Sequence, residues 1–201
     1  RDSDHTGGAA AVLAMQPQVL LSSSLESEHP LWGMASSSTL CSRGQSWVWD
    51  GVRFEVLHPA LDGAESSVST RKPNALSCVL RISDGLHAAL LAGDIEALQE
   101  QALVAVGLEP VDLLLVPHHG SKTSSTPEFL AALQPRLALV QAGYRNRFGH
   151  PAPAVLARYE AMGTRVIDSP HCGAATWRSD APEQVLCERE RSRRYWHHRP
   201  P

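Results

Sequence analysis

No apolar run in these 201 residues approaches the roughly 18–20 needed to cross a membrane, and no signal peptide opens the chain. There is no start methionine either, and a cluster that looks like chemistry stands at residue 2. The chain is therefore expected to be a fragment, and its silence about targeting is uninformative. The four cysteines (Cys41, Cys78, Cys172, Cys187) form no CxxC, which is the wrong spacing for a structural zinc site. Buried thiols are the expectation, with one disulfide through Cys41 or Cys187 open if the domain lies outside the cytoplasm. There is no basic excess: 18 Lys and Arg stand against 21 Asp and Glu, a net charge of -3. That argues against coating nucleic acid through overall charge, though local basic stretches could still bind it. No internal repeat is present. What remains is 43% hydrophobic and 19% charged, enough for one globular domain with a sizeable core.

The first half is rich in strand patterns. AAAVLAMQ reads as a short helix and QVLLSS as a strand, followed by a Ser-rich stretch with Trp32, Trp47 and Trp49 as expected buried points. VRFEVLH (52–58) alternates as a half-buried strand does, and SCVLRIS and HAALLAG form a hairpin around Asp84-Gly85. After Asp94 the apolar period becomes helical, from Ile95 to Val106, with Gly107 as the stop. VDLLLVP is a continuous apolar run, as in a strand buried on both faces. A helix opens at Ser125-Thr126-Pro127-Glu128, then strand RLALVQAG, helix PAVLARYEAMG and strands TRVIDS and GAATWRS follow. Strands alternating with helices behind a strand-rich half predict an α/β layered domain over residues 1–180. Residues 181–201 are basic and Pro-ended, and are expected to be a flexible tail.

Four polar clusters fall where such sheets gather ligands, at the carboxyl ends of strands. Asp2, Asp4 and His5 precede a helix. Asp94 follows the strand HAALLAG, His118-His119-Gly120-Ser121 ends VDLLLVP, and Asn146, Gly149 and His150 follow RLALVQAG. Taken alone, Asp94 reads as a helix N-cap and each histidine as a surface residue. Together, oxygen and imidazole donors without thiolate suit zinc or manganese. Two carboxylates and a histidine within four residues can serve two metals on opposite sides of one loop, with a distant aspartate bridging them. Metals about 3.5–4 Å apart would hold a hydroxide for in-line attack on phosphorus.

DSDHTGG resembles the end of the S-H-x-D-x-D-H-x-G-G motif of the metallo-β-lactamase fold, A-G-D at 92–94 its later metal-binding aspartate, and P-H-H-G-S at 117–121 its last metal-binding histidine. More narrowly, LAGDIEALQEQAL, VDLLLVPHHGSKTSS and GYRNRFGHP are similar to the C-terminal metallo-hydrolase domain of the ComEC family of DNA-uptake competence channels. The resemblance runs over most of residues 1–179. It implies a metallo-β-lactamase-like αββα sandwich, truncated at its N-terminus. The motif's first histidine would stand one position before Arg1, and the strands upstream of it would also be missing.

Carried over, Asp2 would help that histidine hold a first metal, Asp4 and His5 would hold a second, and Asp94 would bridge. His118 is favoured as the last histidine ligand over His119; the two should point to opposite faces if strand geometry continues. His58 in EVLHP is the candidate middle histidine, with Asn74 the rival position and the poorer ligand. His150 reads as a phosphate contact or proton donor, and Ser121, Lys122 and Asn146 as phosphate contacts. The resemblance implies two divalent ions, zinc or manganese, and no small-molecule cofactor. It further implies a phosphodiesterase that degrades the non-transported DNA strand, as a soluble part of an inner-membrane channel on its periplasmic or outer side. The partners would be single-stranded DNA and the channel portion of the same protein. The alternatives are a same-fold hydrolase of another phosphoester, such as a choline phosphoester or small nucleotide, and a catalytically weak domain that only holds DNA. The basic tail, with Tyr195 and Trp196 among arginines, would suit either DNA reading through phosphate contacts and stacking. The fragment itself is expected to bind at most one divalent ion, weakly, and to be inactive.

Overall fold

Seven strands join into one sheet whose order follows the chain, and its pairing changes from antiparallel to parallel half-way across. The structure, a computed structural model, describes residues 3–15, 20–22, 29–60 and 72–196. Two short helices come first, α1 (Ser3–Thr6) and α2 (Ala9–Met15), and then a parallel pair, β1 (Leu20–Ser22) with β2 (Ser38–Leu40). The sheet begins with β3 (Ser46–Trp49), β4 (Val52–His58), β5 (Val79–Ser83) and β6 (Ala88–Leu91), all antiparallel. The β5–β6 hairpin turns where expected, because the Asp84 carboxylate accepts the Leu86 and His87 amides at 2.9 and 2.8 Å.

From β6 onward each crossover carries a helix, which is what parallel pairing requires. The order is α3 (Ala97–Ala105), β7 (Leu113–Leu115), α4 (Pro127–Leu133), β8 (Leu137–Val140), α5 (Pro153–Ala161) and β9 (Arg165–Asp168). Side chains alternate along these strands and so divide between two cores. Leu90, Leu114, Ala138 and Val140 pack under Leu103, Phe129, Leu133, Val155 and Tyr159, so all three helices cover one face. Ala89, Leu113 and Leu137 point the other way. There they meet Trp177 and Val185 of a hairpin, β10 (Ala175–Trp177) with β11 (Val185–Cys187), which follows the short helix α6 (Ser169–Cys172) and precedes α7 (Glu188–Arg191). The expected α/β class with a central sheet is what the chain adopts. Opposite the helices, this hairpin covers the other face of the sheet at β6, β7 and β8.

Three expectations need correction. The cysteines are not free thiols: Cys41 pairs with Cys78 and Cys172 with Cys187, at Cα separations of 5.9 and 4.5 Å. Partners 37 and 15 residues apart meet through strand topology, which spacing alone does not reveal. Residues 182–191 are not a loose tail, since β11 pairs with β10, Cys187 is cross-linked, Trp177 Nε1 donates to the Pro182 carbonyl and α7 follows. Trp47 and Trp49 are not buried either. They lie on the edge strand β3, 40% and 68% exposed, where Trp47 only stacks on Phe54.

Candidate metal centre

The carboxyl ends of β6 and β7 adjoin, and two backbone constraints set what projects from them. Gly93 (φ +57) turns the chain sharply after β6, and a Cβ there would stand 3.0 Å from the Ser77 Cβ and 3.2 Å from the Cys78 carbonyl. The turn delivers Asp94, 9% exposed, with its amide donating to Ser77 Oγ at 3.1 Å. Asp94 is not a helix cap: α3 starts at Ala97 with Glu96 at the N-cap position, where the Glu96 amide donates to Gln99 Oε1 at 3.2 Å. After β7, His118 (φ 48) and His119 (φ 56) both take the left-handed conformation, followed by Gly120 (φ +79). Left-handed backbone costs an ordinary residue about 1–3 kcal/mol, and such strain gathers at ligand clamps. The His118 amide donates to the Gly93 carbonyl at 3.0 Å and joins the two turns.

Four side chains converge here. Asp4, His5, Asp94 and His119 each offer one donor atom, all within 4.8 Å of one another. His5 Nε2 lies 2.9 Å from Asp94 Oδ2 and 3.8 Å from Asp4 Oδ2. His119 Nε2 lies 3.2 Å from Asp4 Oδ2 and 3.7 Å from Asp94 Oδ1. The ring of His119 is oriented from behind, its Nδ1 donating to the Gln141 carbonyl at 2.7 Å. That bond fixes the tautomer with the lone pair on Nε2, as in histidines that bind metal. His119 Nε2 is buried and has no hydrogen-bond partner. A buried imidazole nitrogen that faces two carboxylates but makes no hydrogen bond fits a divalent cation that would occupy the space between them.

The charges agree with that fit. Burial tends to raise the Asp94 carboxyl, but the His5 hydrogen bond and the nearby His5, His119 and His118 outweigh it and leave the pKa below its ordinary value. The hydrogen bond to Asp94 raises the His5 pKa against the effect of burial. With no free cysteine among the described residues, the donors are oxygen and imidazole, the set suited to zinc or manganese.

The other expected residues divide. Asp2 lies outside the described residues. His118, favoured as the ligand, is not in the cluster; its Nδ1 faces Glu96 Oε1 at 3.4 Å and Thr123 Oγ1 at 3.3 Å. The reason is conformational, because the chain leaves strand geometry at Pro117, so alternation cannot assign the two rings. His58 stands one residue removed, its Nδ1 donating to the Ser77 carbonyl at 2.9 Å, while Asn74 lies in the 3₁₀ turn Pro73–Leu76 before Ser77. Asn146 was expected to contact phosphate, but its amide is committed to its own loop. Nδ2 donates to the Gly143 and His150 carbonyls at 3.0 and 2.5 Å, and Oδ1 accepts from the His150 amide at 3.0 Å. Ser121 is buried with its hydroxyl against Thr123 Oγ1, whereas Lys122 is exposed. The His150 ring lies 6.0 Å from that of His118, with a buried, unpartnered Nδ1. Burial, then the nearby His118 and His119, hold its pKa below the usual value. Gln141, Glu96 and Thr123 were missed as supports of the two histidines. A strand-end carbonyl has no sequence signature.

No family model matches the chain. It is 36% identical over 157 residues to Recombination protein 2 of Haemophilus influenzae, covering 78% of this chain and 18% of that protein. It is 35% identical over 175 residues to Competence protein ComA of Neisseria gonorrhoeae, covering 86% of this chain and 23% of that one. The chain is a homologue of ComEC-family competence proteins. The uncharacterized protein YcaI of Escherichia coli is similar too, 37% identical over 193 residues, or 91% of this chain and 24% of that protein. The chain thus spans about a quarter or less of the curated relatives it matches. Among solved structures, zinc-bound PqqB from Methylobacterium extorquens is similar at a TM-score of 0.48 and 13% identity, over 83% of this chain and 68% of that one. That likeness is too low to bear on the site.

Proposed function

We propose that the chain is the metal-dependent phosphodiesterase domain of a DNA-uptake protein, degrading the strand that is not transported. The observation that carries this reading is the convergence of Asp4, His5, Asp94 and His119 on one point, with His119 Nε2 facing both carboxylates and without a hydrogen-bond partner. These four residues would hold one divalent ion, zinc or manganese. A second ion would draw on Asp94 as a shared ligand, with Asp2 and His58 as candidates. Bound metal supplies a water acidic enough to ionise near neutral pH and positive charge to offset that developing on the phosphate oxygens. The protein's own part is orientation. Gln141 holds His119, Ser77 holds the Asp94 backbone, and Thr123 and Glu96 hold His118 beside His150. His150, beside His118, is the candidate phosphate contact or proton donor, and exposed Lys122 adds a positive charge.

Two disulfides that use every cysteine suit an oxidising compartment, which supports a place on the outer side of the inner membrane. No helix among the described residues is long and apolar enough to cross a membrane, so the channel would come from other parts of the full-length protein. The test is a manganese-dependent nuclease assay against single- and double-stranded DNA, with a chelator control. It is run on this chain and on one extended upstream of Arg1. Chelator-sensitive cleavage by either supports the reading. Hydrolysis of choline phosphoesters or small nucleotides without DNA cleavage would replace it, and DNA binding with no hydrolysis by either chain would overturn it.

A further inference from the structure

We propose that the loop Gly143–His150 is a base-stacking platform that grips single-stranded DNA next to the metal centre. It builds on the phosphodiester reading only in taking the scissile phosphate to lie at that centre. Phe148 is 66% and Tyr144 41% exposed, so both rings are open to a ligand. Each carries a guanidinium: the Arg147 Cζ lies 4.8 Å from the Phe148 ring centre and the Arg145 Cζ 5.2 Å from that of Tyr144. Phe148 also stacks on His150 at 5.8 Å with the planes 16° apart. From there the rings lead inward, His150 to His118 at 6.0 Å and His118 to His119 at 6.3 Å, so the platform is continuous with the cluster.

The loop is held in this shape before any ligand arrives. Asn146 bonds both its ends, and Arg145 (φ 52) and Gly149 (φ +67) take left-handed conformations that the tight turn demands. Preorganisation of this kind reduces the ordering cost of binding. Its charge is equally particular. In a chain of net charge -3, no acidic residue occurs between Glu128 and Glu160, and the loop itself carries Arg145 and Arg147.

Exposed aromatics flanked by arginines are the elements of single-strand recognition, stacking bases and pairing with phosphates. Duplex DNA fits poorly, because its bases are already stacked and turned inward. A lipid surface would ask for a broader apolar patch than one phenylalanine and one tyrosine.

The experiment measures fluorescence anisotropy of a labelled single-stranded 12-mer with the 201-residue chain in chelator, where cleavage cannot interfere. The same 12-mer with central abasic positions and the corresponding duplex are run beside it. The intact single strand should bind best. Phe148→Ala should weaken it about tenfold, within the range of one lost stack, and should leave the abasic strand unaffected. Phe148→Trp should restore binding. Arg145→Ala with Arg147→Ala should weaken both strands and flatten the salt dependence. Equal binding by Phe148→Ala and the parent, or a preference of the parent for duplex, would overturn the platform. Parallel manganese cleavage assays keep the two readings apart. Stacking-dependent binding with no cleavage by this chain or by the one extended upstream of Arg1 would reject only the phosphodiesterase, and cleavage with Phe148-independent binding would reject only the platform.

Discussion

His119 and Gln141 sit on the ends of neighbouring strands, and the 2.7 Å bond from Nδ1 to the Gln141 carbonyl aims Nε2 at Asp4 and Asp94. His118, one residue earlier, is turned to Glu96 and Thr123 instead. The two histidines should therefore separate in their effect on metal binding. His119→Ala is expected to weaken manganese or zinc binding at least a hundredfold, the upper end of losses seen even for indirect ligand supports. His118→Ala should weaken it tenfold or less. Calorimetric titration of both variants checks this, and the reverse order would make His118 the ligand.

Asp94 offers the same kind of separation. Since Glu96 occupies the N-cap position of α3, removing Asp94 takes away a proposed ligand and a half-exposed ion pair but no cap. Such a pair contributes about 0–1 kcal/mol. Asp94→Ala should then lose metal binding at least a hundredfold and move Tm by no more than about 4 °C. A variant that melts far earlier while still binding metal would make Asp94 a structural residue.

The strand ends carrying Asp94, the two histidines and His150 were legible because an α/β sheet presents chemistry only at its rim, and each cluster followed an apolar run. The choice between His118 and His119 was not. Alternation assigns faces only while the backbone stays extended, and both residues lie at positive φ. Composition misled at the C-terminus for a related reason. Basic residues on Glu188–Arg191 describe its exposed side, while Val185 and Cys187 anchor the segment through one packing contact and one cross-link.

That cross-link supplies a stability prediction. Cys172–Cys187 closes a loop of 15 residues, for which chain entropy gives about 3 kcal/mol. Cys187→Ser should lower Tm by about 6–12 °C. It should also expose Trp177, visible as a red shift in tryptophan fluorescence. An unchanged melting curve of Cys187→Ser would show that the hairpin holds itself.

In chelator the His5–Asp94 pair should make stability depend on pH in a definite direction. The folded pKa of His5 is raised above 6.5, so its contribution is fully present below 6.5 and is lost as pH rises through the raised value. That of Asp94 is lowered below 3.8, so its contribution is present above 3.8 and is lost as pH falls through the lowered value. Denaturant midpoints should accordingly be highest between those limits and decline on the alkaline side as pH passes the raised His5 pKa. His5→Ala should remove the decline on the alkaline side. An identical alkaline profile in His5→Ala would assign that decline to other groups.

Gly120 tests whether the strained turn positions the ligand. Its φ of +79 disfavours any side chain, and a Cβ there would stand 2.7 Å from the Pro151 Cβ and 3.0 Å from its Cα, atoms of a rigid ring that cannot swing away. Gly163 has a similar φ of +72 with nothing within 4 Å, so it isolates the cost of backbone conformation. Gly163→Ala should destabilise the fold by about 1–3 kcal/mol and leave metal affinity alone. Gly120→Ala should cost more stability than this, and its collision should shift the turn that carries His119. Metal affinity is then expected to fall about tenfold, as when a support behind a ligand is lost. Calorimetry on the two variants side by side decides the matter: equal affinities would mean that His119 is held by Gln141 alone and that the turn carries strain without serving the site.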